Sequence, residues 1–297
     1  MRIPGLRGLP AGEVARDTWR GFQEDDMWTF AAALAYHALF ALFPFLLFLV
    51  AGFSFLDAPE LFEWLLDQSR RFLPSDAQAT VAEVVGEVRG QREGGLLSLG
   101  IVGAVWIASG GVRSTMHALN VAYEVGEGRK WWKRYLISVA YTLALAVLVM
   151  LATMLMVLGP RATAWVLARL GAGEGLVDAL HWLRVPLSLL LAWGAIVLVY
   201  FAAPNVRQRL SLVLPGAVLA VVLWAAVSLG FQLYVSRFSR YSVTYGSIGA
   251  VVMLLAYFYL SSLVLLLGAE LNAAIQHRAP DLPTPEPAEP PQPESEG

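Results

Sequence analysis

The sequence predicts an all-α integral membrane protein with six transmembrane helices and an amphipathic helical hairpin in its first outer loop. Of 297 residues, 57% are apolar and 15% charged, against about 45–50% and about 25% in soluble domains, and the mean hydropathy is +0.59. The apolar excess comes in long blocks, and about 20 mostly apolar residues suffice for a helix to cross a bilayer. The 21 Lys+Arg and 23 Asp+Glu nearly balance, which gives no basic face for nucleic acid. The absence of cysteine excludes disulfides, thiolate nucleophiles, Cys-ligated zinc and iron–sulfur clusters.

In chain order, residues 1–27 form an N-terminal segment with no apolar core of the kind a cleaved signal peptide needs. Within it Ala15, Trp19 and Phe22 recur at i, i+4, i+7 opposite Arg16, Asp17, Arg20 and Gln23, the pattern of a helix lying on a membrane surface. The transmembrane domain covers 28–274. Span one (28–55) contains Pro44 and should kink there. The outer hairpin (58–90) has Leu61, Phe62, Leu65, Leu66, Phe72 and Leu73 on one face; Pro74 stops that helix and Ser75 caps the next. The remaining spans are expected at 95–111, 136–158, 185–203, 212–235 and 246–269, with Pro186 and Pro215 in the first turns of spans four and five. Residues 279–297 hold seven prolines and five acids and should form a disordered cytoplasmic tail.

Loop charge sets the orientation. With the N-terminus inside, twelve of the 21 basic residues face the cytoplasm and nine face out, and the densest cluster, RKWWKR at 129–134, abuts span three on the inside. Both termini are therefore expected in the cytoplasm.

Few ionisable groups fall in or beside the spans. His37 lies nine residues after Trp28, where a neutral, packed hydrogen-bonder is twice as plausible as a proton relay. Arg113 and Glu270 end spans two and six at the same face, so they could pair and close a pathway there, or could be two separate side chains snorkelling into headgroups. Pairing would be as consistent with a structural lock as with a gate. The run Glu24, Asp25, Asp26 reads as a solvated helix end rather than a cation site. Ala31 and Ala35, and Gly216 and Ala220, are placed for close helix packing. No HExxH pair, G-x-S-x-G elbow or phosphate-binding loop is present, and His37, His117, His181 and His277 lie far apart. Neither an enzyme, a metal nor a cofactor is expected.

Three stretches together resemble the YihY/BrkB family of bacterial inner-membrane proteins: AAALAYHALFALFPFLLF at 31–48, GVRSTMHALNVAYEV at 111–125, and the long segment from Pro215 to Ala274. The resemblance rests on Ala35, Tyr36, Phe43 and Pro44, then Leu119, Asn120 and Tyr123, then Pro215, Gly216, Trp224, Tyr234, Tyr245, Gly246, Ser247, Gly268, Glu270 and Asn272. His37 and Tyr257 depart from its pattern, which would carry Tyr and Trp there. The resemblance implies six spans in the inner membrane with cytoplasmic termini. The family's old label of ribonuclease BN finds no support in these residues, whereas a link of members to envelope-lipid export is a lead.

Together these readings point to a protein that moves or handles a lipid or other amphiphilic envelope precursor, with membrane lipids as partners and no nucleic acid. The substrate-pathway candidates are Tyr36, His37, Pro44, Arg113, Asn120, Tyr123, Tyr245, Gly246, Ser247, Glu270 and Asn272. Spans one, two, five and six should surround the site, with three and four as support. The alternative is a non-transporting scaffold for envelope proteins, using the outer hairpin and the tail.

Overall fold

A computed structural model describes the backbone of residues 10–55, 95–170, 174–206, 208–237 and 241–278, with isolated helical positions between 63 and 86; within these, side chains at 43–55, 95–104, 153–154, 156–170, 174–181, 184–185, 236–237, 241–248 and 250 are not part of the description. The described residues form seven helices and no strand: α1 (Ala11–Glu24), α2 (Met27–Phe55), α3 (Gly95–Ala122), α4 (Trp131–Leu170), α5 (Glu174–Ala202), α6 (Leu210–Arg237) and α7 (Tyr241–His277). Three of them contain stretches long and apolar enough to cross a membrane, Trp131–Ala152, Leu210–Val235 and Val251–His277. Among the residues whose side chains are described, α2 and α5 contribute the apolar stretches Met27–Leu42 and Pro186–Ala202. The expected outer hairpin and the tail lie almost wholly outside the described residues.

Consecutive helices from α2 to α7 pack side by side, α7 closes back onto α2, and α3 also touches α7 across the ring. Helix α1 lies against α7. One buried cluster joins Met116 and Leu119 of α3, Tyr200 of α5, Val213, Ala217 and Ala220 of α6 and Val264 and Ala269 of α7. A second joins Phe22 of α1, Met27, Ala31 and Leu34 of α2, Ala118 and Ala122 of α3 and Leu266 of α7. Helix α7 belongs to both, so it is the central element. Where lipid replaces water there is little hydrophobic drive between helices, and close packing of small residues takes over. The expected small residues are used in this way: Ala31 and Ala35 are fully buried, and Gly216 lies against Gly268, so close that a Cβ on Gly216 would come within 2.0 Å of the Gly268 carbonyl oxygen.

The helices outrun the expected spans. Helix α3 continues past 111 to Ala122, α4 past 158 to Leu170 and α7 past 269 to His277. Apolarity marks where a helix meets lipid, whereas its hydrogen bonding continues into polar sequence until a stop. Two corrections follow. Glu270 stands seven residues before the end of α7, so it does not face the negative end of the helix dipole. Pro186 is the thirteenth residue of α5 and Pro215 the sixth of α6, both inside their helices rather than in the first turn.

Helix α1 packs on the bundle through a stripe next to the expected one. Val14, Thr18 and Phe22, at i, i+4, i+8, form its buried face, while Ala15 and Trp19 are exposed. Thr18 fits an apolar face because its hydroxyl donates back to the Val14 carbonyl at 2.8 Å. Asp26, at φ 51°, makes the corner into α2, and its carbonyl accepts the Thr29 N–H at 3.0 Å. Arg278, just beyond α7, donates to Glu13 at 2.6 Å and binds Asp17, which ties the far end of α1 down.

Candidate functional site

Buried polar side chains form three groups, two at the end of the bundle where α1 lies and one further along α3. The first is a latch between two connections. Asn120, buried in the last turn of α3, accepts the Asn205 N–H at 2.7 Å and donates to Glu127 at 3.1 Å. Arg129 donates to the carbonyls of Ala203 and Pro204 at 3.1 and 2.9 Å, and the Tyr141 hydroxyl donates to that of Ala202 at 2.7 Å. These bonds satisfy carbonyls that a helix end leaves open and fix the α3–α4 connection against the α5–α6 connection. Their chemistry is structural.

The second group is acidic. Glu270 is only 3% exposed, and its Oε1 has no hydrogen-bond partner among the described residues. Its carboxyl lies beside that of Asp25. Gly21 of α1 covers it so closely that a Cβ there would lie 2.6 Å from Oε2. Tyr123, fully buried just after α3, presents a hydroxyl that also lacks a partner. Burial, and then the adjacent Glu270 carboxyl, push that phenol well above its usual range. Burial likewise raises the Asp25 carboxyl, helped by the nearby Glu124 and Glu24 and opposed by the neighbouring Glu270 carboxyl acting as donor and by His277.

The third group surrounds Arg113, nine residues before the end of α3. Its guanidinium donates to the Ser109 hydroxyl at 2.6 Å and to the Ser138 hydroxyl of α4 at 3.2 Å. It lies over the Tyr135 ring at 4.2 Å, and Tyr135 stacks on Trp106. On the other side Arg113 Nη2 and His37 Nδ1 both border Gly110, and the His37 Cβ borders Gly111. No carboxylate pairs with Arg113 among the described residues. Around it Tyr36 (56% exposed), Phe40, Trp106 (58%) and Ile107 present an apolar surface outward.

The expected pair of Arg113 with Glu270 therefore does not form. Arg113 turns toward α2 and α4, whereas Glu270 turns toward α1 and the end of α3, so their partners are disjoint.

The Virulence factor BrkB family matches this chain over residues 18–293. The chain belongs to the virulence factor BrkB family. A Bacillus subtilis (strain 168) protein named as ribonuclease-like, YfkH, is 37% identical to it over 251 residues, 84% of this chain and 90% of that protein. Proteins named UPF0761 membrane protein from Xanthomonas campestris pv. campestris (strain B100) and Xanthomonas oryzae pv. oryzae (strain PXO99A) are each 31% identical to it. Those alignments cover 88% and 91% of this chain but 60% and 63% of the Xanthomonas proteins, so the chain spans under two thirds of their length. No solved structure matches.

Within this BrkB-family chain, Tyr36, His37 and Arg113 come together at one seam, and Tyr123 and Glu270 at another. Asn120 belongs to the latch. Asn272, fully buried, accepts the Gly216 N–H at 2.7 Å and serves the α6–α7 crossing. Pro44 lies within α2 and Tyr245, Gly246 and Ser247 within the first turns of α7, and the side chains of all four fall outside those described. Support helix α4 joins the Arg113 group through Tyr135 and Ser138, contrary to the assignment of spans three and four as bystanders. Asp25 and Gly21 went unread because an acidic run after a helix looks solvated. Their one signal is spacing, since Gly21 and Asp25 stand four apart beside the buried Phe22.

Proposed function

We propose that this BrkB-family membrane protein handles an anionic amphiphile, with the head group received at Arg113 and the tail lying in lipid along Tyr36, Phe40, Trp106 and Ile107. The carrying observation is a guanidinium within the helical bundle whose described hydrogen-bond acceptors are the neutral hydroxyls Ser109 and Ser138. Arginine carries its charge at all accessible pH values and is built to chelate phosphate or carboxylate. A cation so placed beside outward-facing apolar side chains suits a ligand with one charged end.

In this reading α2 to α7 are six membrane crossings in the bacterial inner membrane, with both chain termini cytoplasmic, and the protein acts by binding and moving its ligand rather than by catalysis. Support comes from five of the six exposed tryptophans among the described residues: Trp19, Trp28, Trp131 and Trp132 at the α1 end, and Trp182 twenty residues before the end of α5, or about 30 Å of helix away; the sixth, Trp106, belongs to the Arg113 group. Tryptophans at that separation match the two interfaces of a bilayer. The scaffold reading draws on one observation, that the crevice among α3, α4 and α5 is lined by apolar residues apart from Thr115 and Tyr141.

The test is lipid selectivity. Purified protein in vesicles of phosphatidylcholine with spin-labelled phosphatidylglycerol should show a motionally restricted component exceeding that with spin-labelled phosphatidylcholine. Arg113→Gln should abolish the excess, and equal selectivity in wild type and variant would refute the assignment.

A further inference from the structure

We propose that Asp25 and Glu270 form a proton-binding site that latches α1 and its corner onto the central helix α7, and that loss of the proton releases them. The site is distinct from the Arg113 seam, and nothing in the amphiphile reading requires it.

The geometry comes first. Gly21, one turn before Asp25 on α1, lies directly against Glu270 Oε2 and so brings the Asp25 carboxyl beside a carboxyl that is almost wholly buried; two adjacent carboxylates offer only acceptors and repel each other, so the arrangement favours one proton held between them. The pair sits where water cannot replace that proton cheaply. Glu270 is almost wholly buried, its other oxygen has no partner among the described residues, and Gly21 closes over it. The Tyr123 hydroxyl, also buried and unpartnered, is the adjacent donor that could turn to Glu270 when the shared proton leaves.

Surrounding charge favours the proton-bound state. From the α1 corner the pair faces Glu24, itself paired with Arg20 at 2.7 Å. From the end of α3 it faces Tyr123 and Glu124, the latter held at φ 54°. From α7 it faces His277, the sole group acting on Asp25 that can become cationic among the described residues. The burial that raises the Asp25 carboxyl acts in the same direction. A metal ion fits less well: among the described residues no three potential ligands converge closely enough to hold one.

Removing the proton sets two like charges against each other under Gly21. A group whose folded-state affinity for a proton is raised stabilises the docked arrangement below its folded pKa, and that contribution is lost as pH rises through it. Docking of α1 should therefore weaken on going alkaline. The aromatic cluster of Trp19, Phe22 and Trp28 spans the same corner, with Trp28 5.2 Å from Phe22 and 6.2 Å from Trp19, so tryptophan emission reports the change.

The experiment is a pH titration of the full chain in phosphatidylcholine vesicles, followed by infrared difference spectroscopy of the protonated-carboxyl C=O stretch and by tryptophan emission. In the wild type a protonated-carboxyl band should persist well above the ordinary carboxylate range and disappear together with an emission shift. Glu270→Gln, which keeps an amide able to donate to Asp25, and Asp25→Asn should each abolish that band and flatten the emission titration. The wild-type titration stands alone should either variant fail to fold. A wild type with no such band overturns the proposal, as does a band unchanged in both variants. Replacement of sodium by choline should leave the midpoint where it is; a midpoint that moves with sodium would make this a cation site and equally overturn it.

Discussion

Replacing Gly216 by Ala tests whether the α6–α7 crossing is as close as its geometry requires. The added Cβ would lie 2.0 Å from the Gly268 carbonyl oxygen and 2.5 Å from both Asn272 Cγ and Nδ2. One of these atoms is backbone, so no rotamer change removes the clash. Packed heavy atoms settle near 3.5–4.0 Å, so the helices must part by roughly 1–2 Å, and a gap of 0.5–1 Å already forfeits about a quarter to a half of each dispersion contact. Overpacking of this kind costs about 1–3 kcal/mol. Parting also stretches the bond from the Gly216 N–H to Asn272 Oδ1, now 2.7 Å. A buried amide left without that partner costs about 1–3 kcal/mol more. The total is roughly 2–6 kcal/mol. Gly194→Ala and Gly230→Ala are the controls, because nothing lies within 4 Å of a Cβ at either position, and replacing a helical glycine by alanine gains up to about 1 kcal/mol. Reversible unfolding in mixed micelles, followed by circular dichroism, measures all three. If Gly216→Ala unfolds within about 1 kcal/mol of the two controls, the crossing does not have the geometry described.

Arg113→Ala and Glu270→Ala should be additive within about 0.5 kcal/mol in a double-mutant cycle, since the two share no partner, and the charge swap Arg113→Glu with Glu270→Arg should rescue nothing. A coupling of several kcal/mol would restore the abandoned pair. Arg278→Ala removes ion pairs to Glu13 and Asp17, both well exposed to solvent, and should cost no more than about 1 kcal/mol, shrinking further in high salt; thermal unfolding with and without salt measures it. For orientation, cysteines placed at Ser75 and Ser211 should react with an impermeant thiol reagent from opposite sides, Ser75 from outside; labelling of Ser75 only after permeabilisation would reverse the proposed topology.

The all-helical class, the positions of the helices and the small-residue contacts were legible because they depend on hydropathy and side-chain size, which act locally. Gly216 and Ala31 declare themselves in any apolar helix. Helix ends were not legible: the chain stays helical through Arg113 to Ala122 and through Glu270 to His277, because hydrogen bonds within a helix are indifferent to whether its surface meets lipid or water. Charge pairing failed for a related reason. Arg113 and Glu270 each follow an apolar stretch that ends at the same face, but Glu270 lies beside Tyr123, ten residues or about 15 Å of rise beyond Arg113, so the prolonged helices carry the two charges to different depths. Helix α1 carries two adjoining stripes, the buried Val14, Thr18 and Phe22 and the exposed Ala15 and Trp19, and only the second, with Phe22, was read from the sequence. Thr18 can be buried on this face because its hydroxyl bonds within its own helix.

The two polar sites are joined by one rigid element. Arg113 and Tyr123 are ten residues apart along α3 and its end, or about 15 Å of rise. Between them Met116, Leu119 and Ala118 are fully buried in the two apolar clusters, and Asn120 is bonded to both flanking connections. That stretch has few ways to deform, so α3 serves as the fixed reference for both sites. The movable partners are on either side of it. Helix α1 is held through Gly21, Asp25 and the exposed ion pairs of Arg278, and α2 passes from the α1 corner at Asp26 to His37 beside Arg113. A change in the carboxyl pair would therefore reach the guanidinium through α2, whose first residues adjoin the corner, rather than through α3. On this argument α2 is the element whose position both sites would have to share if proton binding and amphiphile handling are linked.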